Sequence, residues 1–417
     1  TGRLSECGVE LEPFDPEDPG QAAWARSCHV LIDAIFGVGL SREIAPDSVF
    51  AAAIRLMNEC RGRVVAADIA SGVEADTGRV LGCAAKADRT VTFTLKKIGQ
   101  AVGDGVLLSG GVEVRDIGIP AGLKKKTVCP VQTVEADFVK AALPARKPDG
   151  HKGDFGKLLV VGGAEGYTGA PCLTASAAVR SGCGLVYLGV PEGIWAVEAV
   201  KCVSAMPFPL PDKDGMLSDK ALQKILDKLA DCQVLALGPG LGRGEQVTRL
   251  VCELLLRTEK PVVLDADGIN ALAGHIDILD QRRGRITILT PHDGEFARIG
   301  GDLSHTGRVQ AARDFAAAHG CVLVLKGHRT VTAAPAGNVL VNTTGNSGLA
   351  KGGSGDVLTG VIASLLAQGA TAVQAAAAGV WLHGRAGDLA EKRLTAYGMT
   401  PGDAAAALPE VFLELGR

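Results

Sequence analysis

Nothing in the 417-residue chain is apolar for long enough to cross a bilayer: its best candidate, residues 360 to 379, is broken by Gln368, Thr371 and Gln374. A basic excess is missing too. With a net charge of -3 and both signs interspersed, no face is expected to hold nucleic acid, and small-molecule chemistry becomes the default. Eleven cysteines are present, but no CxxC pair and no regular spacing, which excludes a disulfide framework or zinc knuckle as the organising device. The opening "TGRLSECGVE" lacks the basic-then-apolar order of a secretory signal, so a soluble, cytoplasmic protein is expected. Aromatic residues are scarce at 4%, whereas glycine is abundant, at 55 residues, beside 47% hydrophobic content. Disorder also enriches glycine, but not with that much apolar material; the balance suits an α/β enzyme with glycine turns.

What is there falls into two stretches, each with short β-branched runs that end in glycine or polar clusters. The first holds "HVLIDAIFGVGL" (29 to 40), "RVVAADIASGV" (63 to 73) and "DRTVTFTL" (88 to 95), with the helically spaced "SVFAAAIRLMNECRG" between the first two. Proline-bearing, charge-mixed sequence follows, with a brief helical patch near residues 136 to 143, and the boundary is placed at about 130. The second holds "KLLVVGG" (157 to 163), "GLVYLGVP" (184 to 191), "CQVLALGPGLG" (232 to 242), "PVVLDADGINAL" (261 to 272), "RITILTPHDGE" (285 to 295) and "CVLVLKGHRT" (321 to 330). Alternating strand and helix predicts a parallel sheet in each stretch, with the polar clusters converging on one crevice beyond the strands' carboxyl ends.

One segment concentrates chemistry. "NSGLAKGGSGDVLTG" (346 to 360) sets five glycines and Asp356 at the mouth of an apolar helix-like run. Unobstructed N–H groups and the positive end of the helix dipole make such a mouth a phosphate cradle. A carboxylate there would repel the phosphate unless it takes a proton from an attacking hydroxyl; the other reading is a helix cap. Lys326 and His292, each at a strand end, are ligands or ordinary surface and turn residues. Asp265 and Asp267 either hold Mg²⁺ through water or serve as turn and capping residues. Asp33 and Asp68 each end a buried apolar run, where an uncompensated carboxylate is costly, so a bound cation or a hydrogen-bonded turn must answer for them.

Taken together, "TTGNSGLAKGGSGDVLTG", "HKGDFGKLLVVGG", "GYTGAP", "LGPGLG", "VLDADGINAL", "LTPHDGEFARI" and "LKGHRT" resemble the ADP- or ATP-dependent NAD(P)H-hydrate dehydratases of the ribokinase-like superfamily, over roughly residues 135 to 417. "VLIDAIFGVGLSRE", "ADIASGVEADTG", "ADRTVTFTLKKIG" and "DIGIP" resemble the NAD(P)H-hydrate epimerase domain often fused ahead of them, over residues 29 to 120. The resemblance implies a ribokinase-like parallel sheet with helices on both faces (131–417), preceded by a partial Rossmann-like α/β domain (1–130). It implies repair of hydrated NAD(P)H at the expense of ADP or ATP with Mg²⁺. Asp356 becomes the base, Gly355 lies against the nucleotide, and Lys326, Gly327, His328, Arg329 and Thr330 form the nucleotide turn. Substrate contacts carry over to Ala170, Gly240, His292 and Asp356. In the front domain K⁺ is implied on Asp33 and Ser71, and substrate along Gly37, Val38, Gly39, Leu40, Ser41, Arg42 and Glu43 and on Asp68.

One departure stands out. The Asn-Gly-Gly-Asp-Gly-type loop with which epimerase domains open has no counterpart before Asp33, and the chain begins with Thr. A front domain lacking its N-terminal part, and no epimerisation by this chain alone, are therefore expected. Assembly into a homo-oligomer is expected. The alternative is a ribokinase-like small-molecule kinase with a non-catalytic binding or oligomerisation module at its front.

Overall fold

The computed structural model describes residues 6–8, 11–126 and 129–417, without the side chains of 124–126. The chain separates into two compact units, Thr1–Val128 and Cys129–Arg417.

In the front unit, strands β1 (Val30–Asp33), β2 (Arg63–Ala67), β3 (Arg89–Phe93) and β4 (Gly111–Arg115) form a parallel sheet in that order. Each of the first three occupies only part of the apolar run that announced it, and the glycine and serine tails leave the sheet as loops. The expected helix forms at Val49–Glu59: Ser48 caps it by accepting the Ala51 N–H at 3.2 Å, and Ala51, Ile54 and Met57, spaced by three, face the core.

In the rear unit, ten strands form one sheet. They are β5 (Val131–Val134), β6 (Lys157–Val161), β7 (Leu185–Pro191), β8 (Met206–Leu210), β11 (Val234–Leu237), β12 (Val262–Leu264), β13 (Thr287–Leu289), β14 (Val322–Leu325), β15 (Val331–Ala333) and β16 (Val339–Asn342). A separate hairpin pairs β9 (Asp212–Lys213) with β10 (Met216–Leu217). The order β5-β16-β15-β14-β13-β12-β11-β6-β7-β8 is parallel except at β15, which runs against both neighbours. The expected parallel sheet is present, with this one antiparallel strand added to it. Only residues 326–330 join β14 to β15 and 334–338 join β15 to β16, and connections that short can turn a hairpin but cannot cross over to a parallel neighbour.

Helix Ser354–Ala367 lies against β6, β11 and β12, between helices Gly169–Arg180 and Ala372–Gly398. Twelve of its fourteen residues are buried, which is why its sequence lacks a polar face. Its closest neighbour is helix Gly169–Arg180: a Cβ at Gly360 would fall 2.1 Å from the Thr174 carbonyl oxygen, so only glycine permits the approach. Among the described residues, no helix is long and apolar enough to cross a membrane.

Candidate active site

Adjacent strands of the rear sheet deliver their polar tails to one edge. β12 is followed by Asp265, β13 by the segment 290–295, and β14 by Lys326. The Lys326 ammonium donates to Asp265 Oδ1 at 2.8 Å and lies 3.6 Å from Glu295 Oε2. Asp265 is 1% exposed, and its second oxygen accepts the Thr359 hydroxyl at 2.7 Å. Thr359 belongs to helix Ser354–Ala367, so one buried carboxylate fastens the helix to the sheet and to the lysine. Glu295 accepts the His292 N–H at 2.9 Å, while His292 Nδ1 accepts the N–H groups of Gly294 and Glu295, a reciprocal cap on helix Asp293–Arg298.

Asp356 is the third residue of its helix, and no side chain caps that helix. The capping reading therefore lapses, and the first-turn N–H groups stay available to a ligand. A Cβ on Gly355 would lie 3.3 Å from Lys326 Nζ and 3.6 Å from Asp265 Oδ2, so this glycine seats the loop against the ion pair. Burial, then the neighbouring Asp265, pushes the Asp356 carboxyl up to about 7, against the pull of Lys326. Burial disfavours the Lys326 ammonium, but Asp265, Glu295 and Asp356 together hold its pKa above the ordinary value. A half-buried acid that ionises near neutrality beside a fixed cation is suited to proton transfer next to a bound anion.

The turn 326–330 is held from its own backbone and from two arginines. Thr330 Oγ1 donates to the Gly327 carbonyl at 3.0 Å, Arg308 donates to the Lys326 carbonyl at 2.7 Å, and Arg329, at φ 59°, donates to the Thr343 carbonyl at 2.7 Å. Gly327 and His328 are exposed. Ala170 and Gly240 come together across the loops after β6 and β11: a Cβ on Gly240 would sit 3.2 Å from that of Ala170. Nearby opens a cleft of about 720 Å³ lined by Tyr167, Asp214, Met216, Arg243 and Asp267, among others. Asp267 accepts the Gly242 N–H at 3.0 Å and pairs with Arg243 at 3.3 Å. Asp265 is thus engaged at both oxygens by Lys326 and Thr359, whereas Asp267 faces the cleft.

Three participants escaped the sequence reading. Thr359, three residues past Asp356, shares its side of the helix, and Glu295 completes a capping box with His292; both patterns were visible. His383 gave no signal. It is buried on helix Ala372–Gly398 with Nε2 unpartnered, and burial together with Lys326 lowers its pKa to about 4, so it is neutral.

In the front unit, Asp33 and Ser71 are both fully buried and meet: the Ser71 N–H donates to Asp33 Oδ2 at 2.7 Å and its hydroxyl to Oδ1 at 2.5 Å. Asp68, at φ 70°, accepts the Phe93 N–H at 2.9 Å and pairs with Lys97, which also donates to Thr92 Oγ1 at 2.9 Å. Hydrogen bonds thus answer for one carboxylate and a lysine, unremarked in the sequence, for the other. Gly37 to Glu43 follow β1 as a turn, exposed except for the half-buried Leu40.

Compared with known proteins, residues 158–410 match the family described as NAD(P)H-hydrate dehydratase, and residues 2–99 match that described as YjeF-related protein N-terminus. The front match thus begins well ahead of residue 29, where the sequence reading began it. The chain is 44% identical over 390 residues to a bifunctional NAD(P)H-hydrate repair enzyme of Moorella thermoacetica, covering 93% of this chain and 73% of that protein. It is 37% identical over 403 residues to one from Thermofilum pendens, covering 95% and 76%. Among solved structures, the ADP/ATP-dependent NAD(P)H-hydrate dehydratase of Bacillus subtilis, co-crystallised with ATP/Mg²⁺, superposes with a TM-score of 0.57 at 31% identity, over 69% of this chain and 100% of that one. A ribokinase-like superfamily protein of Enterococcus faecalis gives 0.61 at 25% identity, over 69% and 98%.

Proposed function

Because the chain belongs to the NAD(P)H-hydrate dehydratase family and carries a YjeF-related region ahead of that part, we propose that it repairs hydrated NAD(P)H by nucleotide-dependent dehydration. The observation that carries the mechanism is the half-buried Asp356, poised near neutrality at an uncapped helix mouth beside Lys326.

The terminal phosphate of ADP or ATP lies against Gly355 and the turn Lys326–Thr330, where the helix N–H groups and the ammonium offset its charge. Mg²⁺ accompanies the nucleotide, screening its phosphates and needing few protein oxygens. Ala170, Gly240 and His292 position the hydrated nicotinamide. Asp356 takes the C6 hydroxyl proton as that oxygen forms a bond to phosphorus and the nucleotide departs one phosphate shorter. Phosphate, a far better leaving group than hydroxide, then breaks from C6 as the ring nitrogen donates its lone pair. Loss of the C5 proton restores the double bond.

In the front unit, substrate lies along Gly37 to Glu43 and Asp68. Asp33 and Ser71, already hydrogen-bonded to each other, would hold K⁺ through their remaining oxygen lone pairs, a carboxylate and a hydroxyl being donors that suit a hard monovalent cation. A cytoplasmic setting and a homo-oligomer complete the reading.

The decisive experiment incubates hydrated NADH with ADP or ATP and follows absorbance and free phosphate together. Equal recovery of both supports dehydration, whereas a phosphorylated substrate that accumulates without phosphate release would establish a kinase instead. For the front unit, interconversion of R and S hydrates without nucleotide is the measurement, and its rate reports whether the YjeF-related region at residues 2–99 is active.

A further inference from the structure

Away from the chemistry just described, the rear unit gathers two thiols and a carboxylate that the mechanism does not use. Cys172 lies on helix Gly169–Arg180, Glu198 on helix Glu192–Lys201, and Cys202 at the residue that ends the second helix. Thirty residues of chain separate the cysteines, which is why no sequence spacing announced them as a pair.

The two Sγ atoms and a Glu198 oxygen all lie within 4.8 Å of one another. Cys202 Sγ is 3.8 Å from Glu198 Oε2. Glu198 is 0% exposed and Cys202 6%, yet Glu198 Oε1 has no hydrogen-bond partner. Burial pushes the Glu198 carboxyl up to about 7, and a carboxylate oxygen buried without a donor costs several kcal/mol unless a proton neutralises it or a cation meets it. The lysine beside Glu198 in this helix turn does not do so by hydrogen bonding: the Lys201 ammonium is hydrogen-bonded to Thr168 Oγ1.

We propose that Cys172, Cys202 and Glu198 bind one Zn²⁺ ion. Thiolate sulfur and carboxylate oxygen are both zinc donors. The edges of such a zinc tetrahedron are about 3.5–3.8 Å, which the 3.8 Å between Cys202 Sγ and Glu198 Oε2 already meets and which the other pairs, within 4.8 Å, reach by a small closing of the side chains. The charges close as well: two thiolates and a carboxylate give -3, which Zn²⁺ and the adjacent Lys201 ammonium neutralise. Cys172 is only half-buried, leaving the fourth corner to water. The thiol protons depart to solvent as the ion enters, so affinity rises with pH. Position gives the ion a purpose. It ties the end of helix Glu192–Lys201 to the first turn of helix Gly169–Arg180, two residues from Ala170, and so stiffens one wall of the substrate crevice. This siting role rests on the assignment of Ala170, but metal binding itself does not.

The test uses the full chain, reduced and stripped with chelator, in saturating Mg²⁺ to occupy oxygen-only sites. Co²⁺ is the spectroscopic probe and Zn²⁺ the competitor. One Co²⁺ per chain with a thiolate-to-metal charge-transfer band, displaced by one Zn²⁺, is expected, together with a higher melting temperature. Cys172→Ser and Glu198→Gln are expected to weaken Zn²⁺ at least about tenfold, since even an outer partner of a metal ligand is worth that much, while Cys183→Ser changes nothing. Glu198→Gln keeps the side chain's volume and decides the matter if a cysteine variant fails to fold. Three results would overturn the proposal: no charge-transfer band from reduced protein, a band that persists in Cys172→Ser/Cys202→Ser, or isolation of a Cys172–Cys202 disulfide whose reduction yields no metal binding.

Discussion

Replacing Asp356 with asparagine separates the chemistry of the site from its stability, because the two should move in opposite directions. The carboxyl rises from 3.8 to about 7 in the folded chain, so the native state holds this proton more tightly than the unfolded state does. The stabilisation is fully present below pH 4 and is lost as pH rises from about 4 through about 7. At about 1.4 kcal/mol for each tenfold change in proton affinity, the ionised group costs on the order of 4 kcal/mol above pH 8. Asparagine carries no such cost. It forfeits an acidic residue in the first turn of the helix, worth about 0.3–1 kcal/mol in the other direction, which is too little to reverse the sign. Asp356→Asn is therefore expected to be more stable than the parent at pH 8, by a margin that shrinks towards zero near pH 4. Its rate of nucleotide-dependent NADH recovery should fall about 10²- to 10⁴-fold, the usual worth of a general base. Melting curves across pH 4–9 and the absorbance assay measure both quantities. A stability difference that does not change with pH, or recovery within a few-fold of the parent, would refute the placement of a strained carboxylate at the reacting hydroxyl.

Parent kcat/KM should climb to a plateau through an apparent pKa near 7, because only the ionised carboxylate accepts the hydroxyl proton; a flat profile from pH 5 to 8 would exclude it. Lys326→Met strips the buried Asp265 of its cation and is expected to cost about 3–5 kcal/mol in denaturant unfolding, besides weakening nucleotide affinity by titration calorimetry. Gly360→Ala drives a methyl into the Thr174 carbonyl. Separation of the two helices should lower stability by about 1–3 kcal/mol or more, as read from the unfolding midpoint.

The layered α/β plan was legible because its signal is local. Runs such as "KLLVVGG" and "CVLVLKGHRT" carry their own stop in the glycine or polar tail, and buried parallel strands show as unbroken apolar runs. Short or edge strands such as β5 and β8 were missed. Their proline, methionine and polar residues give no such run, and pairing with a neighbour makes them strands. The antiparallel β15 became evident only when loop length was set against sheet order. At the site, Asp356, Lys326 and His292 could be singled out because each sits beside a glycine or proline at an element end. Their relationship could not.

Sequence by itself determined the succession of strands and helices, the glycine-lined helix mouth and the residue types offered there, since propensity, periodicity and turn chemistry act within a few residues. Tertiary structure alone decided that Asp265 would be the buried partner of Lys326 and Thr359, that Lys97 would answer Asp68, and that Cys172 and Cys202 would meet at Glu198. Such pairings join positions dozens of residues apart. Charge and burial at each depend on which strands become neighbours, a choice made by packing of the whole sheet rather than by any segment of it.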